Sequence, residues 1–347
     1  MKEIIDFLRE TTKLREMPRR GWVINQIDDP ESIAEHLYRA TVMAWVLGKE
    51  KNLNTYYLMK IALVHDLCEV YAGDTTPYDS VLPEDKEELE KLMETWPRFS
   101  QEEKEKNSLD KHEKEKKGLE DLTVNLPESL KKEMISLWMD YENRVNEEGR
   151  FFSQADRMEN FIQAYEYWEK LEKPPLEPWW LWAREFFDDP LLLEFMDALE
   201  IRFHERSVSD EIRKTYNLLN FFIEVGKLKR NSYKPNISIA EHSYQLALLT
   251  LILKKDRSDF DIEKALKISL VHGFHQIEEV TENLEEELRG EIRELFNEYI
   301  KKDTTEGVFI NEAIYVLGQI EDCQREDAED VTDSDLLELL KEVRKNA

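Results

Sequence analysis

His65 and Asp66 interrupt IALVHDLCEV, a stretch that is otherwise apolar. Burying two ionisable groups there is costly unless something compensates them, and a divalent metal would. His36 follows Glu35 in a second apolar run, and Asp156 interrupts FFSQADRMENFIQAYEYW. Two imidazoles and two carboxylates make a mixed nitrogen–oxygen set. That set suits one divalent ion (Mn, Co, Fe, Ni or Zn), with positions left open for water and substrate. Carbonyl-rich calcium chemistry fits less well. Glu69 stands four residues after His65, so on a continuous helix it projects from the same face one turn on. A carboxylate there can orient water activated by the metal, or shuttle its proton. The turn Gly73-Asp74-Thr75-Thr76-Pro77 brings further polar groups to the end of that helix. Upstream, Arg19 and Arg20 offer cations for a phosphate and Trp22 an aromatic platform. Each piece alone is weak. A lone His-Asp pair is more often solvent-facing, Asp156 could accept a backbone N–H, and Trp22 could belong to the core. Cys68 reads as a small buried side chain, and His112 and His204 as surface residues. Taken together, the residues point to metal binding.

The elements that must position these residues read as helices. Asp29-Pro30 resembles an N-cap followed by proline at the first helical position, opening a helix to about Leu47. Along it Ile33, Leu37, Ala40, Ala44 and Leu47 fall at helical spacing, and Val42, Met43 and Val46 widen the apolar face. A second helix is expected over Thr55 to Val70, stopping near Gly73, and a third includes Phe152 to Leu171. Residues 84–120 are dense in Glu and Lys and read as a solvated helical excursion.

The chain also repeats itself. SIAEHLYRATVMAWVL (32–47) recurs as SIAEHSYQLALLTLIL (238–253), and ALVHDLCEV (62–70) as SLVHGFHQI (269–277). The offset is 206 from His36 to His242 and 207 from His65 to His272. A near-constant offset across two motifs indicates duplication of a whole domain, with the boundary between residues 206 and 207. In the second copy Gly273 stands where Asp66 does, Gln276 where Glu69 does, and Gly318 where Asp156 does. Glycine has no ligand atom and glutamine cannot act as a base. His275 could replace one ligand but not two carboxylates. Residues 1–206 are therefore expected to hold an intact metal site, and 207–347 to keep the fold without it.

PRRGW, DDPESIAEH, ALVHDLCEVYAGDTTP and QADRMEN, in that order, resemble the HD-domain superfamily, specifically its 5'-deoxynucleotidase branch. The resemblance covers most of residues 1–206. It implies an all-α, metal-dependent fold that removes phosphate from deoxyribonucleoside 5'-monophosphates and commonly dimerises. It implies that His36, His65, Asp66 and Asp156 are metal ligands, Glu69 the catalytic carboxylate, and Asp74 a residue beside a sugar hydroxyl. Arg19 is similar to the phosphate-contacting arginine, and Trp22 to the tryptophan that crowds the 2' position. The expected architecture is two tandem helical bundles packed within one chain as the family's two subunits would be, with further homo-oligomerisation open. The alternatives are a nucleotide-binding regulatory protein, or an HD phosphohydrolase acting on nucleoside triphosphates or phosphodiesters.

Composition narrows the partners. A formal net charge of −28 repels a polyphosphate backbone at long range, so no nucleic-acid polymer is expected. Few cations near the motifs are available to hold a triphosphate. Only 10 Gly and 11 Pro punctuate 347 residues, which favours helix, and 41% hydrophobic residues suffice for a sizeable core. No run approaches a membrane span; Trp179, Trp180 and Trp182 form only a short aromatic cluster. The charged N-terminus lacks a signal-peptide core, and two cysteines, Cys68 and Cys323, cannot form a disulfide framework. A cytoplasmic protein with a nucleoside 5'-monophosphate substrate is the expectation.

Overall fold

In the computed structural model the central helix begins after Ser32, not at Asp29-Pro30. Ser32 accepts from the Glu35 N–H and Glu35 reaches back to the Ser32 N–H, a capping box that fixes the start of the helix. The chain is described except at residues 77, 78, 80, 84, 95–99, 172–183, 185, 275, 322–330 and 347. Pro77, the Trp179, Trp180 and Trp182 cluster, His275 and Cys323 lie outside the described residues.

The first half contributes α1 (Lys2–Thr11), α2 (Arg20–Ile24), α3 (Ile33–Glu50), α4 (Thr55–Val64), α5 (Glu69–Ala72), α6 (Lys86–Glu94), α7 (Gln101–Leu122), α8 (Glu128–Asn143), α9 (Glu147–Leu171) and α10 (Pro190–Phe203). The second contributes α11 (Arg213–Gly226), α12 (Ile239–Lys254), α13 (Ile262–Val271), α14 (Ile277–Thr281), α15 (Glu286–Lys301), α16 (Thr305–Ile320) and α17 (Ser334–Asn346). One short antiparallel pair, Ser232–Lys234 with Ile237–Ser238, leads into α12. The protein is all-α in character.

Helix α3 is buried from Ile33 to Gly48, on every face, which marks a helix at the centre of the molecule. It packs against α4, α9 and its repeat counterpart α12. The last contact is reciprocal. Tyr38 OH donates to the Leu270 carbonyl at 2.9 Å, and Tyr244 OH to the Leu63 carbonyl at 3.1 Å. Ser238 and Glu241 repeat the capping box of Ser32 and Glu35. Helices α8 and α15 both end on a left-handed residue, Arg144 (φ 52°) and Lys302 (φ 54°).

The opening helix of each half packs on the other half. Helix α1 lies on α12, α16 and α17, with Gln245 donating to the Leu8 carbonyl at 2.9 Å. Helix α11 lies on α3, α9 and α10. A single apolar core runs through both halves, from Ile5 to Val343.

Two expectations need revision. The helix from Thr55 stops at Val64, because bonds from Leu67, Glu69 and Val70 to the carbonyls three residues back replace the α pattern. A tight turn over 65–68 follows, then α5, closed by Gly73 at φ +73°. Glu69 therefore starts a new short helix and does not continue that of His65. The excursion is also more than a solvated arm. Its helix α7 packs on α5, with Leu119 fully buried and a Cβ on Gly118 falling 2.6 Å from the Cys68 carbonyl oxygen.

A candidate metal centre and its mouth

His36 lies one turn into α3, His65 caps α4, Asp66 sits in the turn after it, and Asp156 projects from the middle of α9. The buried stripe Phe152, Ala155, Met158, Ile162 and Tyr165 anchors α9 and turns Asp156 inward. Each imidazole is held from behind. His65 Nδ1 meets the Ala62 carbonyl at 2.9 Å, and His36 Nδ1 meets Glu159 Oε2 at 2.5 Å. A carbonyl or an ionised carboxylate can only accept, so each Nδ1 carries the proton and each Nε2 faces the other residue. The rings stand 5.6 Å apart at 70°.

Asp156 Oδ1 lies 3.0 Å from His36 Nε2 and 3.5 Å from His65 Nε2. Its Oδ2 accepts from Tyr141 OH at 2.9 Å. Among the described residues, His36 Nε2, His65 Nε2 and Asp156 Oδ1 are buried with no hydrogen-bond partner of acceptable geometry. Buried polar atoms are rarely left so, and two imidazole lone pairs beside a carboxylate oxygen, all within 4.8 Å, fit a divalent cation. Asp66 Oδ2, at 3.4 Å from His65 Nε2 and 3.7 Å from His36 Nε2, is placed to join them.

Charge is tightly compensated here. Burial and Arg19 lower the His36 pKa, but Glu159 and Asp156 outweigh them and bring it to about 9 in the metal-free site. Burial would raise Asp156, yet the adjacent His36 and His65 imidazoles hold it well below the usual carboxylate range. Glu69 goes the other way. Burial first, then the charges of Asp66 and Asp74, push its carboxyl well up, against Arg19 and Lys111. It is 3% exposed, and its Oε2 has no hydrogen-bond partner among the described residues.

At the mouth, Arg19 Nη1 donates to Asp66 Oδ2 at 2.9 Å and Nη2 to Asn160 Oδ1 at 3.1 Å, while Nε stands 3.9 Å from Asp74 Oδ2. Arg20 turns aside to Asp79 at 2.8 Å, although its backbone N–H donates to Asp74 Oδ2 at 2.7 Å. Of the two arginines, Arg19 is the one whose guanidinium reaches the cluster. Trp22 is half-buried, its indole N–H on Glu31 Oε1 at 2.8 Å and its ring edge-on to Tyr167 at 5.2 Å. His112 is less exposed than expected, lying over Trp138 with Nδ1 3.2 Å from Glu142.

The second half keeps the frame of this centre. His242 and His272 stand 5.4 Å apart at 68°, and His272 Nδ1 meets the Ser269 carbonyl as His65 meets Ala62. The rest differs. Tyr233 stacks on His242 at 3.7 Å, and a Cβ on Gly273 would fall 2.3 Å from Ile239 Cγ2, so a side chain at the position matching Asp66 would have to displace Ile239. Gln276 is exposed and bonds Glu279. Among the described residues, no group of three potential ligands forms around His242 and His272.

Several residues of the site were not read from sequence. Glu159 lies in the QADRMEN motif three residues after Asp156, on the same helix face, and that spacing was an available signal. Asn160 holds Arg19, and Lys111 of α7 adds positive charge that Glu69, Asp66 and Asp74 feel. Glu31, Arg39 and Lys229 complete a buried network behind His36, and nothing local in the sequence announces them.

Residues 11–177 and 226–277 match the HD-domain family profile. The 5'-deoxynucleotidase HDDC2 of Bos taurus is 33% identical over 201 residues, covering 57% of this chain and 85% of its own length. That of Xenopus laevis is 32% identical over 200 residues, covering 57% and 86%. The 5'-deoxynucleotidase hdd1 of Schizosaccharomyces pombe is 30% identical over 201 residues, covering 57% and 90%. The profile spans more than half of the sequence and takes in the His65-Asp66 pair at the centre of the ligand cluster: this chain belongs to the HD-domain family.

Proposed function

We propose that the protein is a metal-dependent phosphomonoesterase that removes phosphate from deoxyribonucleoside 5'-monophosphates. The observation that carries this reading is the convergence of His36 Nε2, His65 Nε2 and Asp156 Oδ1, buried and unpartnered, beside a buried Glu69. The names of the relatives support the substrate class. One divalent ion held by His36, His65, Asp66 and Asp156 would supply Lewis acidity, offsetting phosphate charge and acidifying nearby water.

The chain's own groups do the rest. Arg19, now paired with Asp66, turns its guanidinium to a phosphate oxygen and neutralises charge as it builds. Glu69 takes the proton of the water that attacks phosphorus and returns it to the departing 5'-oxygen, so that water and the ester become phosphate and a nucleoside. Trp22 walls the sugar on its 2' side, and Asp74 accepts from a sugar hydroxyl.

The same reading extends to the whole chain. Residues 1–206 form the working half and 207–347 a duplicate whose site has been lost, the two packed as a dimer within one chain. The reciprocal tyrosine bonds, paired capping boxes and exchanged opening helices support it. No described helix is long and apolar enough to cross a membrane, and a reducing cytoplasm is the compartment we assign.

A phosphate-release assay over deoxy- and ribonucleoside mono- and triphosphates, with metal and with chelator, tests this. Release from deoxynucleoside monophosphates that stops on chelation is expected. Release confined to triphosphates, or none with any metal, would overturn it.

A further inference from the structure

Among the buried charges that the mechanism leaves unused, Lys229 reaches the first half's centre from the second half. Lys229 closes the short 3-10 turn Lys227–Lys229 after α11 and is 3% exposed. Its ammonium donates to Glu159 Oε1 at 2.8 Å, to Gln163 Oε1 at 2.8 Å and to Glu31 Oε2. An ammonium has three donors, and all three are spent on acceptors of the first half. Glu159 in turn holds His36 Nδ1, and Glu31 holds the Trp22 indole. Arg39 shares Glu159 Oε1 at 2.8 Å, but it belongs to the same helix as His36.

We propose that Lys229 is a positioning residue for the first half's metal centre, fixing Glu159 and through it the His36 ring that presents Nε2 to the metal. This rests on the metal-centre reading above. A carboxylate behind a ligating histidine sets its tautomer and ring angle, and loosening such a partner weakens metal binding. Without Lys229, two buried carboxylates, Glu31 and Glu159, would face each other with Arg39 the one permanent cation left on Glu159, and Glu159 would be drawn toward Arg39 and away from His36.

The fold provides its own control. Arg15 closes the equivalent turn after α1 and crosses the other way, donating to Glu321 Oε1 at 2.5 Å. Glu321 follows Gly318 by three residues, as Glu159 follows Asp156. The same crossing ion pair therefore occurs twice, once behind a complete ligand set and once behind none.

Co(II) titrations of the full-length protein, followed by ligand-field absorption, separate a positioning role from a structural one. Lys229→Met is expected to weaken Co(II) binding by about 10–100-fold, while Arg15→Met leaves it unchanged, although both variants lose thermal stability. Lys229→Arg, which keeps the charge, should recover most of the affinity. If Lys229→Met does not fold, Lys229→Gln takes its place in the same comparison. Equal weakening by the Lys229 and Arg15 variants, or no change in either, overturns the proposal. The titration uses metal alone, so its outcome is independent of whether deoxynucleotides are the substrate.

Discussion

Glu69 sits at the bottom of the site as a buried carboxyl whose Oε2 has no partner among the described residues, while every other acid around it is held by a histidine, a tyrosine or Arg19. On the proposed reading, that difference gives Glu69 the proton and leaves coordination to the others. Glu69→Gln should lower kcat by about 100- to 10,000-fold while Co(II) and substrate still bind; loss of metal from this variant would make Glu69 a ligand. At Trp22 the account predicts selectivity. Walling off a 2'-hydroxyl without giving it a partner costs about 1–3 kcal/mol, so dAMP should exceed AMP in kcat/KM by roughly ten- to a hundredfold. Trp22→Ala should narrow that gap and leave dAMP turnover less affected. A variant that loses both activities together with its stability would place Trp22 in the core instead. The ligand-type residues were legible because each is an ionisable group in an apolar run. Glu159 had a signal in its spacing from Asp156, but Lys229 had none, since its meaning lies in Glu159, 70 residues away.

At the scale of elements, helical content and the order of helices followed from apolar spacing, while two boundaries did not. The Ser32–Glu35 box competes with Asp29-Pro30 for the helix start and wins with two bonds that the proline pair lacks. The break at 65–68 was hidden because His65-Asp66-Leu67-Cys68 holds neither glycine nor proline to mark a stop, and only the pull of Arg19 on Asp66 and the tightened bonds reveal it. The charged excursion is helical and largely solvated, as its composition suggests, but not to its end. Its Glu and Lys residues dominate the composition, but Gly118 and Leu119 lay its last turns against α5. Gly118→Ala would put a methyl 2.6 Å from a backbone oxygen and 3.2 Å from the Ala72 nitrogen. It should destabilise by about 1–3 kcal/mol and lower kcat, because α5 carries Glu69. Gly290→Ala on α15 is the contrast. With nothing within 4 Å of the added atom, helix propensity alone should stabilise by up to about 1 kcal/mol. Thermal melts of the two variants, with kcat measured beside them, check both signs.

For the whole molecule, the near-constant offset between motifs shows that two stretches of sequence recur, but not how they would meet. Periodicity shows that α1 and α11 each have an apolar face without saying whose core it covers, and each covers the other half's. On the proposed reading, this exchange gives the second half a use without a ligand set of its own. It shares one apolar core with the first half, and it delivers Lys229 to Glu159 behind His36. The central claim is therefore spatial: the metal, and with it the chemistry, belongs to the first half alone. Anomalous scattering from crystals grown with Mn(II) tests this most directly. The account predicts that the protein-bound anomalous density lies among His36, His65, Asp66 and Asp156, and that none lies between His242 and His272. A peak of comparable height between His242 and His272, or no peak at the first cluster, would contradict it.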